Sequence, residues 1–101
     1  MRTWLKPPDL KPWLALAGAQ IAAGDETAAR EAIEEAQGVI DETHARVFQP
    51  FLHERRAQYA EVFDAEWTRD DELREAHRLF VDLGATGHAE RVARMLGGKA
   101  A

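Results

Sequence analysis

Apolar residues recur every three or four positions along most of this chain, and no segment alternates apolar and polar residues with a period of two. A three-to-four-residue spacing is the signature of an amphipathic helix, whereas a strand needs the shorter period. β-Branched residues are also sparse next to Ala, Leu, Glu and Arg, so strands have no support. The pattern predicts an all-α fold of about five helices.

The N-terminal third of the chain predicts a helical hairpin over residues 10–41. Its first helix runs from Asp9, as the N-cap, to Ala23, and Gly24 ends that helix by adopting a left-handed conformation. Asp25 then caps a second helix, which extends from Glu26 to Asp41. The expected inward stripes are Trp13, Leu16, Ala17 and Ile21 on the first helix, and Ala29, Ala32, Ile33, Ala36 and Ile40 on the second.

A second, less regular hairpin is predicted over residues 43–83. Its first helix spans Thr43 to Asp64, unless Pro50 marks the true start as the first helical residue. Thr68, followed by Asp71, resembles a capping box for the next helix, which stops at Gly84. Thr86 can then cap a short C-terminal helix within 86–97. We therefore expect an irregular lead-in at 1–9, one helical domain at 10–97 and a flexible tail at 98–101.

Composition narrows the function classes. The 101 residues carry 13 Lys and Arg against 18 Asp and Glu, a formal net charge of −5, which disfavours nucleic acid as a partner. The absence of cysteine excludes disulfides and thiolate metal sites, and no apolar window approaches the length of a membrane span. We expect a cytoplasmic protein with no membrane partner.

The sequence assembles no recognisable catalytic, cofactor-binding or metal-binding motif. No two of its four histidines have the i, i+4 spacing that places two metal ligands on one helix face. Adjacent carboxylates such as Glu34 and Glu35 point about 100° apart on a helix, so they are not a ready acid and base pair. We expect no enzyme activity and no cofactor.

The first hairpin resembles the tetratricopeptide repeat. Large residues on the first helix would fill the space between helices, and small residues would permit close approach. The resemblance implies a right-handed stack of antiparallel helical hairpins, with the second hairpin as a degenerate repeat and the last helix as a cap. The matching positions are Trp13, Leu16 and Ala17, then Gly24 and Asp25 in the turn, then Ala29, Ile33 and Ala36.

The C-terminal half, from about Phe48 to Leu96, has a more particular resemblance. Its segments PFLHERRAQYAEVF and ELREAHRLFVDLGATGHAERVARML look like the last helical repeats of large bacterial signalling ATPases that carry cyclase or helix-turn-helix output domains. In those proteins the repeats are taken to be a sensing or protein-binding platform. The resemblance implies a repeat module belonging to such a regulator or derived from one. ATPase activity does not carry over, because no nucleotide-binding motif is present.

Together these observations predict a noncatalytic module that binds a protein or peptide in or beside a groove formed by the first helices of the hairpins. The alternatives are a segment for self-association or for packing within a larger ATPase-type regulator, and a small-molecule sensor with a pocket between helices one and three. Off-stripe residues proposed for the groove are Gln20, Gln49, His53, Arg56 and Gln58.

The outer side of the first helix is the other candidate surface. We expect no preceding repeat to cover it, so that its apolar residues are exposed and favour a homodimer or docking to another chain, unless the Trp4 and Leu5 segment folds back over them. The residues assigned to this association face are Trp4, Trp13 and Leu14.

Overall fold

The computed structural model describes residues 9–63 and 67–97, and within these ranges the chain is helical with no strand. The prediction of an all-helical protein with five helices is confirmed. Trp4, the lead-in before Asp9, the tail at 98–101 and the predicted helix end at Asp64 lie outside the described residues. The helices are α1 (Lys11–Ala22), α2 (Glu26–Thr43), α3 (Gln49–Val62), α4 (Arg69–Asp82) and α5 (Thr86–Gly97), with a 3-10 turn at Arg46–Phe48 before α3.

The turn between α1 and α2 has the predicted chemistry. Gly24 has a φ of +77°, which a residue with a Cβ rarely adopts, and its N–H donates to the carbonyl oxygen of Ile21 at 3.0 Å. The Asp25 carboxylate accepts from the Ala28 N–H at 3.1 Å and so caps α2. At the start of α1 the prediction is one residue early: Leu10 flanks the helix, although Asp9 accepts from the Lys11 N–H at 3.0 Å.

The turn between α4 and α5 repeats the first one at Gly84, whose φ is +76°. Two cap predictions nearby are wrong. Thr86 is the first residue of α5 rather than its cap, and the Thr68 side chain makes no capping hydrogen bond at the start of α4. Asp71, the expected capping-box partner, instead accepts from Arg74 at 2.9 Å.

The start of the third helix is later than Thr43. α2 continues to Thr43, whose hydroxyl donates to the Val39 carbonyl at 2.6 Å, and the chain reverses at His44 with a φ of +59°. α3 begins at Gln49, so the alternative start at Pro50 is correct to within one residue. The reason is local: the left-handed residue at His44 stops α2, and Pro50 is tolerated only in the first turn of a helix.

α3 is the central helix, because it packs against α1, α2 and α4, while α1 also packs on α2 and α4 on α5. Two clusters of buried apolar residues lie on different sides of it, and Phe51 contacts both. The first cluster contains Leu10, Leu14, Ala17, Ile21, Ala29, Ala32, Ile33, Ala36, Val39, Ile40, Leu52 and Tyr59; the second contains Ala57, Leu73, Ala76, Phe80, Ala89 and Val92.

Tyr59 anchors the end of α3. Its ring is fully buried, packs against Phe63 and Trp67 at centroid distances of 4.8 and 5.3 Å, and its hydroxyl donates to the Glu26 carboxylate at 3.2 Å. Burial raises the pKa of the Tyr59 phenol, and a hydrogen bond with Arg30 opposes that rise. The buried phenol is therefore held neutral and tied to the first turn of α2.

Candidate protein-interaction surfaces

The five residues predicted to line one groove do not share one surface. Gln49, His53 and Arg56 make side-chain contacts to α2 and α4. Gln58 is exposed and accepts from Arg55 at 2.9 Å, and Gln20 lines a depression between α1 and α2. The structure brings three of the five candidates together and places Gln20 and Gln58 elsewhere, and the binding role of each residue stays a prediction.

Between α2 and α3, two glutamines bind each other reciprocally. The Gln37 amide donates to Gln49 at 3.0 Å, and the Gln49 amide donates back at 2.9 Å. Arg56 adds a third bond, from Nη2 to the same Gln37 oxygen at 3.0 Å. These side chains satisfy one another across the helix interface, as partly buried polar groups must.

The same contacts continue to α4 through His53. Its Nδ1 lies 2.7 Å from Glu72 Oε1, with both side chains less than a fifth exposed, and its Nε2 lies 3.4 Å from the Gln49 amide nitrogen. A neutral imidazole with its proton on Nδ1 satisfies both contacts. We call this set the polar network: Gln37, Gln49, His53, Arg56 and Glu72.

Arg56 connects the polar network to Trp67. Its guanidinium lies 5.2 Å from the Trp67 ring centroid, Arg30 lies 5.4 Å from that ring, and Nη1 of Arg56 is 4.0 Å from Glu72. Nε of Arg56 is buried without a hydrogen-bond partner in the described part of the chain, and the Glu72 carboxylate and the Trp67 ring both lie near the charge of this guanidinium. Three of the five groove candidates thus hold the helices together.

Arg55 holds α1 against α3. Its Nε donates to the Leu14 carbonyl oxygen at 2.8 Å, and its guanidinium lies 3.3 Å from the position that a Cβ on Gly18 would occupy. The absence of a side chain at Gly18 therefore leaves the space in which Arg55 lies. Because Gln58 binds Arg55, its carboxamide belongs to this α1–α3 contact.

A bidentate ion pair links α5 to α3. Arg91 donates to the two Glu54 carboxylate oxygens at 2.6 and 2.9 Å, and this bonding raises the pKa of the Arg91 guanidinium. The ring of His88 stacks on Phe80 at 5.0 Å, meets Phe51 edge-on at 5.1 Å, and lies 3.0 Å from Arg91 through Nδ1. This histidine is thus a packing residue of the α3–α4–α5 contact.

The outer side of the first hairpin is different in character. Trp13 is 37% exposed and Leu16 is 42% exposed, so the prediction that both lie on the inward stripe of the first helix is wrong, whereas the exposure expected of Trp13 on the outer side is observed. Leu14 is only 8% exposed because it faces the first apolar cluster, so its assignment to the association face is wrong and Leu16 takes that place. Trp13 and Leu16 line the depression between α1 and α2, which we call the α1–α2 outer face. Its described lining residues are Trp13, Leu16, Gln20, Ala28, Glu31, Ala32 and Glu35.

The described ranges, 9–63 and 67–97, contain neither a metal-ion cluster nor a membrane-spanning helix. Within them, no three or more potential metal-ligating side chains are grouped to hold an ion. None of the helices there combines the length and the apolar character needed to cross a bilayer. Comparison of the chain with protein-family models, with curated proteins and with solved structures finds no match.

Proposed function

We propose that this chain is a noncatalytic protein-interaction module. The observation that carries the proposal is the α1–α2 outer face, where Trp13 and Leu16 remain exposed side by side, whereas the other large apolar residues of α1, Leu14 and Ile21, are buried. Adjacent exposed large apolar residues in a helical domain mark a contact surface more often than isolated ones do. The polar network is already satisfied internally, so it is the weaker candidate surface.

We further propose that the helices form a tetratricopeptide-like, right-handed stack of antiparallel hairpins. In such a stack the first helix of each hairpin contacts its own partner and the first helix of the next hairpin. Two observations support this: α1 packs on both α2 and α3, and Glu54 of α3 binds Arg91 of α5. The resemblance of Phe48–Leu96 to repeat platforms places the module, in this proposal, within or close to a cytoplasmic bacterial signalling regulator.

Self-association or packing against another domain of a larger regulator is the second candidate. The same exposed pair, Trp13 and Leu16, favours it, because an apolar face can be covered by a second copy as well as by a different protein. Sedimentation velocity across a wide concentration range separates the two. A sedimentation coefficient that rises with concentration, and stops rising in Leu16→Lys, would favour self-association.

Selection from a random peptide display library, with the immobilised full chain as bait, tests the interaction function directly. We expect enriched peptides that bind the folded chain in solution and release it when the chain is unfolded by urea. If no peptide is enriched above the empty support and the chain sediments as a monomer at every concentration, the proposed function is wrong.

A further inference from the structure

We infer that the α1–α2 outer face binds a positively charged amphipathic helix from a partner protein. This inference rests on the proposed function and adds to it the place of binding and the chemistry of the partner. It is carried by the shape of the depression and by the sign of the charge at its edge.

The lining residues are spaced for a helix. On α1 they are Trp13, Leu16 and Gln20, and on α2 they run from Ala28 to Glu35, so each helix contributes about two turns and about 10 Å of length. The alanines at positions 28 and 32 lie one turn apart and leave room for another backbone to approach. The depression thus has the length to contact about two turns of a helix.

Within the fold, α1 and α2 already pack together against a third helix, α3. α3 packs against both α1 and α2, using the buried side that contains Leu14 and Ile33. Trp13 and Leu16 point to another side of the same pair and are left outside both apolar clusters. A helix with apolar residues at i, i+3 or i+4, and i+7 would cover them in the same manner.

The negative charge at the edge of the depression favours a positively charged partner. Among the described residues that line the depression, Glu31 and Glu35 are the charged ones, and they lie one turn apart on α2. Glu31 makes no ion pair or hydrogen bond within the part of the chain that the structure describes. Lys or Arg residues one turn apart on the incoming helix would lie opposite these carboxylates, whereas an acidic helix would be repelled.

The test uses the full chain and a defined probe. The probe is an amidated peptide of about sixteen residues, long enough to populate a helix, with Leu at the i, i+4, i+7 positions and Lys beside them. Its matched counterpart has Glu in place of each Lys. Fluorescence anisotropy of the labelled peptides should show saturable binding of the Lys peptide, at least about tenfold weaker binding of the Glu peptide, and loss of affinity with added salt.

Variants locate the site. Trp13→Ala and Leu16→Lys should each weaken binding of the Lys peptide at least about tenfold, because they remove the apolar anchor or add a like charge. Glu31→Lys should weaken it several-fold. Val62→Ala and Glu90→Lys, at exposed positions on α3 and α5, are the matched controls and should leave the affinity unchanged. Circular dichroism melting checks folding, and Leu16→Lys decides the matter if Trp13→Ala does not fold.

Three outcomes would overturn the inference. The Lys peptide could fail to bind, or it could bind with an affinity that Leu16→Lys and Glu31→Lys leave unchanged. It could also bind only after residues 2–6, which carry Arg2 and Lys6, are deleted, and the occupant would then be this chain itself. Library peptides that still bind in any of these cases would leave the interaction function standing and move it to another surface.

Discussion

The polar network and the α1–α2 outer face use the same helix, α2, in opposite ways. Gln37 lies on the side of α2 that meets α3, where it bonds Gln49 and Arg56. Glu31 lies nearer the start of α2, on a side that none of the described helices covers, beside exposed Trp13 and Leu16. One side is polar and occupied, and the other is partly apolar and open.

This difference shows why polarity by itself is a poor guide to a binding surface. Gln49, His53 and Arg56 are residue types that often contact ligands, but in this protein each has partners inside the fold. Trp13 and Leu16, by contrast, are exposed apolar residues that line one depression, and exposed apolar surface costs free energy in water. The candidate interaction surface is therefore better identified by unburied apolar area than by hydrogen-bonding capacity.

The largest expected effect on stability comes from truncating a buried leucine, and truncation of a leucine on the α1–α2 outer face is its matched control. Leu52 is fully buried between α3 and the first hairpin, so Leu52→Ala should lower the free energy of unfolding by about 2–5 kcal/mol. Leu16→Ala, at an exposed position, should change it by about 0.5 kcal/mol or less. Urea unfolding of both variants measures this, and similar losses for the two would mean that Leu16 is buried in solution.

Breaking the polar network at its α4 end should have the next largest effect. Glu72→Ala removes the acceptor of His53 and the carboxylate near Arg56, and should cost about 1–3 kcal/mol of unfolding free energy. The exposed Glu90→Ala on α5 is the matched control and should cost almost nothing. Equal stability of the Glu72 and Glu90 variants would show that the network adds nothing to the fold.

A double-mutant cycle on Gln37→Ala and Gln49→Ala should find a coupling of about 0.5–1.5 kcal/mol, since each amide loses its partner in either single variant. The cycle of Gln37→Ala with Gln58→Ala provides the comparison, because Gln58 bonds Arg55 instead and should be additive with Gln37. Thermal or chemical unfolding of the two sets gives both values. Additivity in the first cycle would contradict the reciprocal bond.

The smallest effect concerns an ion pair on the solvent side of α4. The hydrogen bond from Arg78 lowers the pKa of the Glu75 carboxyl below its ordinary value of 4.5. A lowered folded-state pKa stabilises the fold above that ordinary value, and the contribution disappears as the pH falls through the folded-state pKa.

Glu75→Gln should therefore be slightly less stable than the parent at neutral pH, and the difference should vanish in acid. Urea midpoints at neutral pH and at pH ~3 measure this, and Glu90→Gln, at an exposed position on α5, gives the background for losing one surface charge. A difference that persists unchanged at low pH would contradict the assignment.

The sequence was sufficient for the helices and for the tight turns, because these depend on local chemistry. Gly24 and Gly84 each need a left-handed conformation, and Asp25 supplies a cap within three residues of the amide that it accepts from. Such contacts join near neighbours and are visible in the order of residues. The left-handed turn at His44 was missed because a histidine there gives no comparable signal.

The surfaces could not be predicted in the same way, because α1 and α3 lack one clear apolar side. α1 is apolar almost all round, so spacing alone did not distinguish buried Leu14 from exposed Leu16. α3 is surrounded by three helices and buries Leu52 and Ala57 in different clusters, which leaves its polar residues at the contacts between helices. Their partners, Gln37 and Glu72, are 12 and 19 residues away in sequence from Gln49 and His53.

The bond from Arg55 to the backbone oxygen of Leu14 has a consequence for how freely the sequence can vary. Every amino acid has that same carbonyl, so the contact does not depend on which side chain stands at position 14. The hydrogen bond instead depends on the Arg55 side chain, which supplies the donor, and on the space that Gly18 leaves for it. Substitution tolerance should therefore be unequal across this contact. Another apolar residue can replace Leu14 and keep the hydrogen bond, whereas a Cβ at Gly18 would lie 3.3 Å from the Arg55 guanidinium and require that side chain to move by a few tenths of an ångström.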